Sequence, residues 1–273
     1  MLINKLSLTF THFSCLCLLF LNISCIGSYR DAETLYLNGH YERAIKEFNK
    51  VLFISGTDIK ALHLRARSYE ELGQYREALA DYRKILALQP TYAQAFAGIG
   101  KIAWEQEDLK TAEKNLLLAA MHDPKDYDIL LLLSRSLIKN GRYKSAVEFL
   151  EEASRINPKE AKPHFYKGIA MAYSGDGLGT IVSFNKYLEI EPDNLTAHYN
   201  RGFALMKLGY KEWAVEDFDR VLEEDPKHYE ALARRALCLL EKNPRQACFD
   251  LETAAMNGNP LAKSNLRRCA SIR

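Results

Sequence analysis

Pro90, Pro124, Pro158, Pro192 and Pro226 follow one another at intervals of 34 residues. Spacing this regular makes most of the chain one structural unit copied in tandem. A period in the range of roughly 20 to 50 residues is the mark of a solenoid, in which each copy packs on its neighbours and no single large core is needed. The 273 residues are therefore a poor guide to domain count, and no stretch is left over for a separate catalytic domain. Lys and Arg number 37 against 35 Asp and Glu. That near balance excludes the strongly basic footprint of a nucleic-acid binder.

Aligned on the prolines, the copies run 25–58, 59–92, 93–126, 127–160, 161–194, 195–228 and, with one deletion, 229–257, followed by a terminal segment 258–273. Position 8 of each copy is small: Ala32, Ala66, Gly100, Ser134, Gly168, Gly202 and Ala236. Position 20 is also small, as Ala44, Ala78, Ala112, Ala146, Thr180, Ala214 and Ala247. Four residues on, hence on the same helical face, stand the bulky Phe48, Tyr82, Leu116, Leu150, Phe184 and Phe218. Gly39, Gly73, Gly141, Gly175 and Gly209 recur at position 15, where a left-handed residue ends a first helix. The prolines at position 32 stop the second helix. Each copy reads as helix, turn, helix, turn.

This pattern resembles the tetratricopeptide repeat. The second copy carries it most fully, in Leu62, Ala66, Tyr69, Gly73, Tyr75, Ala78, Tyr82 and Pro90. The resemblance spans about residues 26–257, with departures at Gly56 in place of the closing Pro, at Glu107 in place of the turn Gly, and in copies five and seven. It implies an all-α, right-handed solenoid of about seven antiparallel helical hairpins with a C-terminal capping helix. It also implies that protein or peptide partners bind a concave groove lined by positions 2, 5, 9, 12 and 13 of the first helices.

Position 9 reads Glu33, Arg67, Lys101, Arg135, Ile169, Phe203 and Leu237, basic in the first half and apolar in the second. His63, Trp104 and Lys139 lie near the basic residues; Phe165, Tyr173, Tyr199 and Met206 join the apolar ones. The expectation is a bipartite groove. Acidic or carboxylate groups would meet Arg67, Lys101 and Arg135, and apolar side chains would dock on Phe165, Ile169, Tyr199 and Phe203, since aromatic and Arg side chains are the usual anchors. The competing reading is a solvated face paired with Glu70, Glu71 and Glu105, with the aromatics packed on neighbouring helices. The residues of the chaperone-tail carboxylate clamp are not reproduced in any consecutive trio of copies.

Residues 1–24 have one Lys at position 5, an apolar stretch from Leu16 to Ile23, and no acid before Asp31, the layout of an export signal. Ser24-Cys25 resembles a bacterial lipoprotein cleavage site, with Asn22 where Leu is usual. It implies acylation of Cys25, attachment to the cell or outer membrane, and an exported location on the periplasmic side or surface. Plain signal cleavage and a retained N-terminal anchor are the alternatives. The functional expectation is an envelope adaptor serving secretion, pilus, outer-membrane or wall assembly; a surface lipoprotein binding host or environmental ligands is the other.

Gly258-Asn259-Pro260 ends one helix and opens a last one, which would cover the exposed apolar end of the array. Cys248 and Cys269 fall at the same height of that hairpin, so an exported chain is expected to bond them and leave Cys238 reduced; the alternative is two buried thiols. Gly175, Gly177 and Gly179 in copy five suggest either a flexible joint or drift in a tolerant repeat. The His residues are scattered, no CxxC or HxxxH spacing occurs, and the Gly-rich segment is not a dinucleotide fingerprint. No catalytic residues, metal, small-molecule cofactor or nucleic acid are expected.

Overall fold

A computed structural model of the chain describes residues 28–270; Cys25 and the expected export signal lie outside the described residues. Within them, fifteen α-helices and one short 3-10 turn succeed one another. The chain divides into two compact units, Met1–Pro124 and Lys125–Arg273.

The first unit contains α1 (Tyr29–Leu37), α2 (Tyr41–Ile54), α3 (Ile59–Glu71), α4 (Tyr75–Leu88), α5 (Ala93–Glu105) and α6 (Leu109–His122). Consecutive helices pair as hairpins, and each first helix also packs on the next first helix, α1 on α3 and α3 on α5. Its core runs through Ala32, Ala44, Phe48, Leu62, Ala66, Ala78, Tyr82 and Ile85. Small and bulky positions interlock here: a Cβ on Gly100 would stand 2.7 Å from Leu116 Cγ, and one on Gly98 2.3 Å from the Tyr82 ring. α5 must be bare at both points for the side chains of the second helices α4 and α6 to seat.

The second unit contains α7 (Tyr127–Lys139), α8 (Tyr143–Ile156), α9 (Lys162–Ser174), α10 (Gly177–Ile190), α11 (Leu195–Lys207), α12 (Lys211–Glu224), α13 (Tyr229–Leu239), α14 (Pro244–Met256) and α15 (Pro260–Asn265). The same interlock holds Gly168 against Phe184 and Gly202 against Asp217 and Phe218. Each unit is a helical solenoid of repeats.

Helix ends follow from local chemistry. Gly39, Gly73, Gly141, Gly175 and Gly209 all have positive φ, between 68° and 85°, and Glu107 takes the same left-handed place at φ 61° without being glycine. Second helices α4, α6, α8, α10 and α12 stop two residues before Pro90, Pro124, Pro158, Pro192 and Pro226. α2 stops at the equivalent Ile54 although Gly56 stands where the proline would be. Asp58, Asp126 and Asn194 then cap α3, α7 and α11 by accepting from Ala61, Ile129 and Ala197 amides at 3.0, 3.1 and 2.9 Å, supplying partners for donors that a helix start leaves free.

In copy five, Gly175 is the left-handed cap expected of it, and a Cβ on Gly179 would stand 2.4 Å from Met171 Sδ and 2.5 Å from Asp176 Oδ2. One expectation changes: the final helix is shorter than 258–273. α15 covers six residues and is succeeded by a 3-10 turn, Leu266–Cys269. Ser264 Oγ and Asn265 Nδ2 donate to the Leu261 carbonyl at 2.9 and 2.8 Å, an acceptor that a continuing helix would use.

Candidate partner-binding surfaces

In the first unit, Arg67 is exposed on α3 and its guanidinium lies 5.6 Å from the Tyr36 ring centroid. Lys101 on α5 sits 4.0 Å from Oε1 of both Glu70 and Glu71. Glu70 is the unusual member: its side chain is 6% exposed, Oε2 accepts from the Tyr82 hydroxyl at 2.7 Å, and Oε1 has no hydrogen-bond partner. Burial raises its pKa against the pull of Tyr82 and Lys101. His63 lies between the Tyr82 and Tyr92 rings, with Nδ1 3.2 Å from the Tyr92 hydroxyl. Burial, with Arg67 behind it, pushes His63 down to about 4, so the ring is neutral at physiological pH. Trp104 is half-buried on α5. This surface mixes cations with acids, and His63 is part of the packing.

In the second unit, Arg135 on α7 lies 5.5 Å from the Tyr166 ring. Phe165 packs edge-on against Phe184 and tilted against Tyr187, and Ile169 joins the same cluster. Tyr173, 68% exposed, stacks on Tyr143 at 5.4 Å. Tyr199 and Phe203 on α11 meet Arg234 of α13, which was not singled out from the sequence. Arg234 Cζ stands 4.1 Å from the Phe203 centroid; its Nε donates to the Tyr199 hydroxyl at 2.8 Å and its Nη2 to Glu230 at 2.6 Å. Lys207 Nζ lies 5.5 Å from the same Phe203 ring. A half-buried aromatic face carrying two cations can hold an apolar side chain beside an acidic group.

A second concavity of this unit went unread in the sequence. A cleft of about 640 Å³ opens between α10 and α12, with Leu178, Ile181, Tyr210 and Trp213 on its walls and His198, Arg201 and Asp217 at its floor. Trp213 is 58% exposed and stacks on Tyr210 at 5.4 Å. The floor is internally satisfied: Arg201 grips Asp217 with two hydrogen bonds of 2.9 and 2.7 Å, and His198 bridges Asp217 and the Pro192 carbonyl. Any ligand would be held by the walls. The signal in the sequence was the pair Tyr210 and Trp213 on the outer side of a second helix, where packing does not need them.

Cys248 and Cys269 are joined by a disulfide with Cα atoms 5.6 Å apart, and Cys238 is a buried thiol whose pKa burial pushes up to about 11. Among the described residues, no group of three or more His, Cys, Asp or Glu could hold a metal ion, and no helix is long and apolar enough to cross a membrane.

These hairpins, with side chains left over on the first helices, define a helical-repeat protein of the solenoid class. Family models of the tetratricopeptide repeat match residues 63–120, 103–164 and 196–228, and the model for anaphase-promoting complex, cyclosome, subunit 3 matches 27–85. The chain is a tetratricopeptide repeat protein. It is similar to Hsp70-Hsp90 organizing protein 3 of Arabidopsis thaliana, 27% identical over 45% of this chain and 20% of that protein. It is also similar to protein FlbA of Caulobacter vibrioides, 29% identical over 48% of this chain and 22% of that one. The chain thus spans about a fifth of the length of these curated relatives. Among solved structures it is similar to YrrB, described as a TPR protein with an unusual peptide-binding site, at 25% identity over 68% of this chain and 95% of that one, TM-score 0.63. The C-terminal part of a TPR repeat-containing protein from Cytophaga hutchinsonii shares the fold at 20% identity, over 88% of this chain and 99% of that one, TM-score 0.69. This repeat fold is that of a protein-interaction scaffold.

Proposed function

We propose that the chain is a scaffold of the bacterial cell envelope, tethered to a membrane through acylated Cys25, which captures extended peptide or helical segments of partner proteins on its first-helix surfaces. The observation that carries the binding reading is the Phe203 face under Arg234 and Lys207, an aromatic and cationic patch across α11 and α13 outside the buried core. The likeness to YrrB, a protein described as peptide-binding, supports it; the layout of residues 1–25 supports the tether. The occupant that fits is a segment pairing an apolar anchor with an acidic side chain.

A photo-crosslinking residue placed at Phe203 in living cells, followed by mass spectrometry, tests this. One or a few partner proteins should be trapped, and Phe203→Ala with Arg135→Glu should lose capture in a pull-down. Undiminished capture by that variant sinks the first-helix reading. The Trp213 cleft supports a second reading, in which the partner docks on the second-helix side; loss of capture in Trp213→Ala alone would select it.

A further inference from the structure

The cleft between α10 and α12 presents apolar surface that packing does not use. Leu178, Tyr210 and Trp213 are 62%, 43% and 58% exposed and line it together with Ile181 and Leu205. Trp213 gives one ring face to Tyr210, the planes 26° apart, and keeps more than half of its surface open. Scattered apolar side chains are ordinary on a surface, whereas a concave group of them rimmed by polar residues marks a binding site.

The charges around the cleft select its occupant. His198, Arg201, Glu216, Asp217 and Arg220 line it. Arg201 is spent on Asp217 and Asn185, and His198 on Asp217 and the Pro192 carbonyl. Arg220 is surrounded by three carboxylates, Asp193 at 2.8 Å, Glu223 at 3.3 Å and Glu224 at 3.9 Å. Glu216 is left over: it is exposed on α12 and has no hydrogen bond or ion pair among the described residues.

The wider surroundings lean the same way. From 177 to 224 the three helices and their turns hold five Lys and Arg against nine Asp and Glu. Of the cations away from the cleft, Lys207 lies over Phe203, Lys211 is paired with Glu241, and Lys186 stands with Glu189 near His164. Glu212 is matched by Lys242 and Asp219 by Arg235. Cleft and rim together therefore set Arg201 and Arg220 against Glu216, Asp217, Asp193, Glu223 and Glu224, and even a protonated His198 leaves that balance negative.

Trp213 and Glu216 are three residues apart on α12, hence neighbours on one face. A cation laid on Trp213 meets the ring electrons and has the Glu216 carboxylate beside it. An acidic occupant would be repelled there, and a purely apolar one would cover a carboxylate without answering it.

We propose that this cleft docks a basic segment of a partner protein, with an Arg or Lys on Trp213 and Glu216 and a flanking aliphatic residue against Leu178 and Ile181. The inference builds on the second-helix docking described above and names the chemistry of its occupant. The Phe203 face under Arg234 and Lys207 takes the opposite sign, so the two sides of α11 sort segments by charge.

A displayed library of random peptides, selected on the full-length chain and rescreened on its variants, tests this. Clones that depend on Trp213 should share an Arg or Lys next to an aliphatic residue. They should bind Trp213→Ala and Glu216→Lys about tenfold or more weakly, and Glu216→Lys should regain the same peptides once their cation is replaced by Glu. Phe249→Ala, which removes another exposed aromatic from a second helix, should leave binding unchanged. Trp213-dependent clones with no shared cation, or indifferent to Glu216→Lys, overturn the basic occupant and keep the cleft as a docking side; a library with no Trp213-dependent clone overturns both. Arginine amide binding as tightly as the clones would make the cleft a site for a free cation, and self-association that Trp213→Ala dissolves would place a second copy there. Either result also overturns the proposal.

Discussion

Arg65 grips Asp81 with two hydrogen bonds, Nε to Oδ2 at 2.8 Å and Nη2 to Oδ1 at 2.6 Å, while its Nη1 donates to Asn49 of the preceding repeat at 2.6 Å. One guanidinium thus ties both helices of its own repeat to the second helix of the repeat before. The arrangement recurs at Arg201 with Asp217 and Asn185, and at Arg235 with Asp250 and Asp219. In the fifth copy Lys167 keeps only the backward link, to Glu151 at 2.6 Å.

Asp81 is 7% exposed and Arg65 19%, so removing the carboxylate leaves a desolvated guanidinium. Asp81→Ala should cost about 3 kcal/mol, and Arg65→Met with Asp81→Leu should recover much of it, because an apolar pair avoids the desolvation penalty. Urea unfolding of the two variants measures this. A loss under about 1 kcal/mol for Asp81→Ala would show the clamp to be weak.

His63 makes the first unit acid-sensitive. The unfolded ring takes a proton near 6.5, the folded one only at about 4. Stability from the neutral ring is complete above 6.5 and is lost as pH falls through 4, by about 2 to 3 kcal/mol. Glu70 acts in the opposite sense, since its raised pKa makes the folded chain bind a proton before the unfolded one does. The difference between wild type and His63→Gln isolates the ring: the variant should show a flatter acid limb between pH 7 and 4. Parallel acid limbs would contradict the assignment.

Glu107 holds a left-handed backbone that the other intact repeats give to glycine. Its Cβ meets the neighbouring carbonyl there, at a cost of about 1 kcal/mol. Glu107→Gly should therefore raise stability by about that amount, less the extra entropy of an unfolded glycine. Thermal melts compared with Gly73→Ala, which should fall by a similar amount, check both directions.

The Cys248–Cys269 bond closes a loop of 21 residues, worth about 3 kcal/mol in chain entropy. In a stacked array the loss should be local. Cys248→Ser with Cys269→Ser should speed hydrogen exchange in α14 and α15 while leaving α3 and α4 untouched. Uniform acceleration along the chain would argue against a local staple.

The repeat framework was legible because sterics writes it in every copy. Ala32, Ala66, Gly100, Ser134, Gly168, Gly202 and Ala236 are all buried where a first helix meets its partner, and Phe48, Tyr82, Leu116, Leu150, Phe184 and Phe218 fill the space opposite. The binding surfaces were less so. His63 and Phe165, read as groove residues, spend much of their surface on neighbouring rings, and Arg234 was missed because its contact with Phe203 crosses from one repeat to the next. The Arg65 clamp left a trace, Arg at position 7 with Asp at 23, but only in three copies.

The sequence alone therefore determined the hairpins, their register and their ends, since backbone rules and side-chain volume act within about 34 residues and are repeated. Only the tertiary structure decided which polar side chains are spent inside the stack, that Trp213 flanks a cleft, and that Glu216 stands there without a partner among the described residues. Those outcomes depend on how neighbouring repeats meet, where distance and burial set what each charge and ring can still offer to a partner.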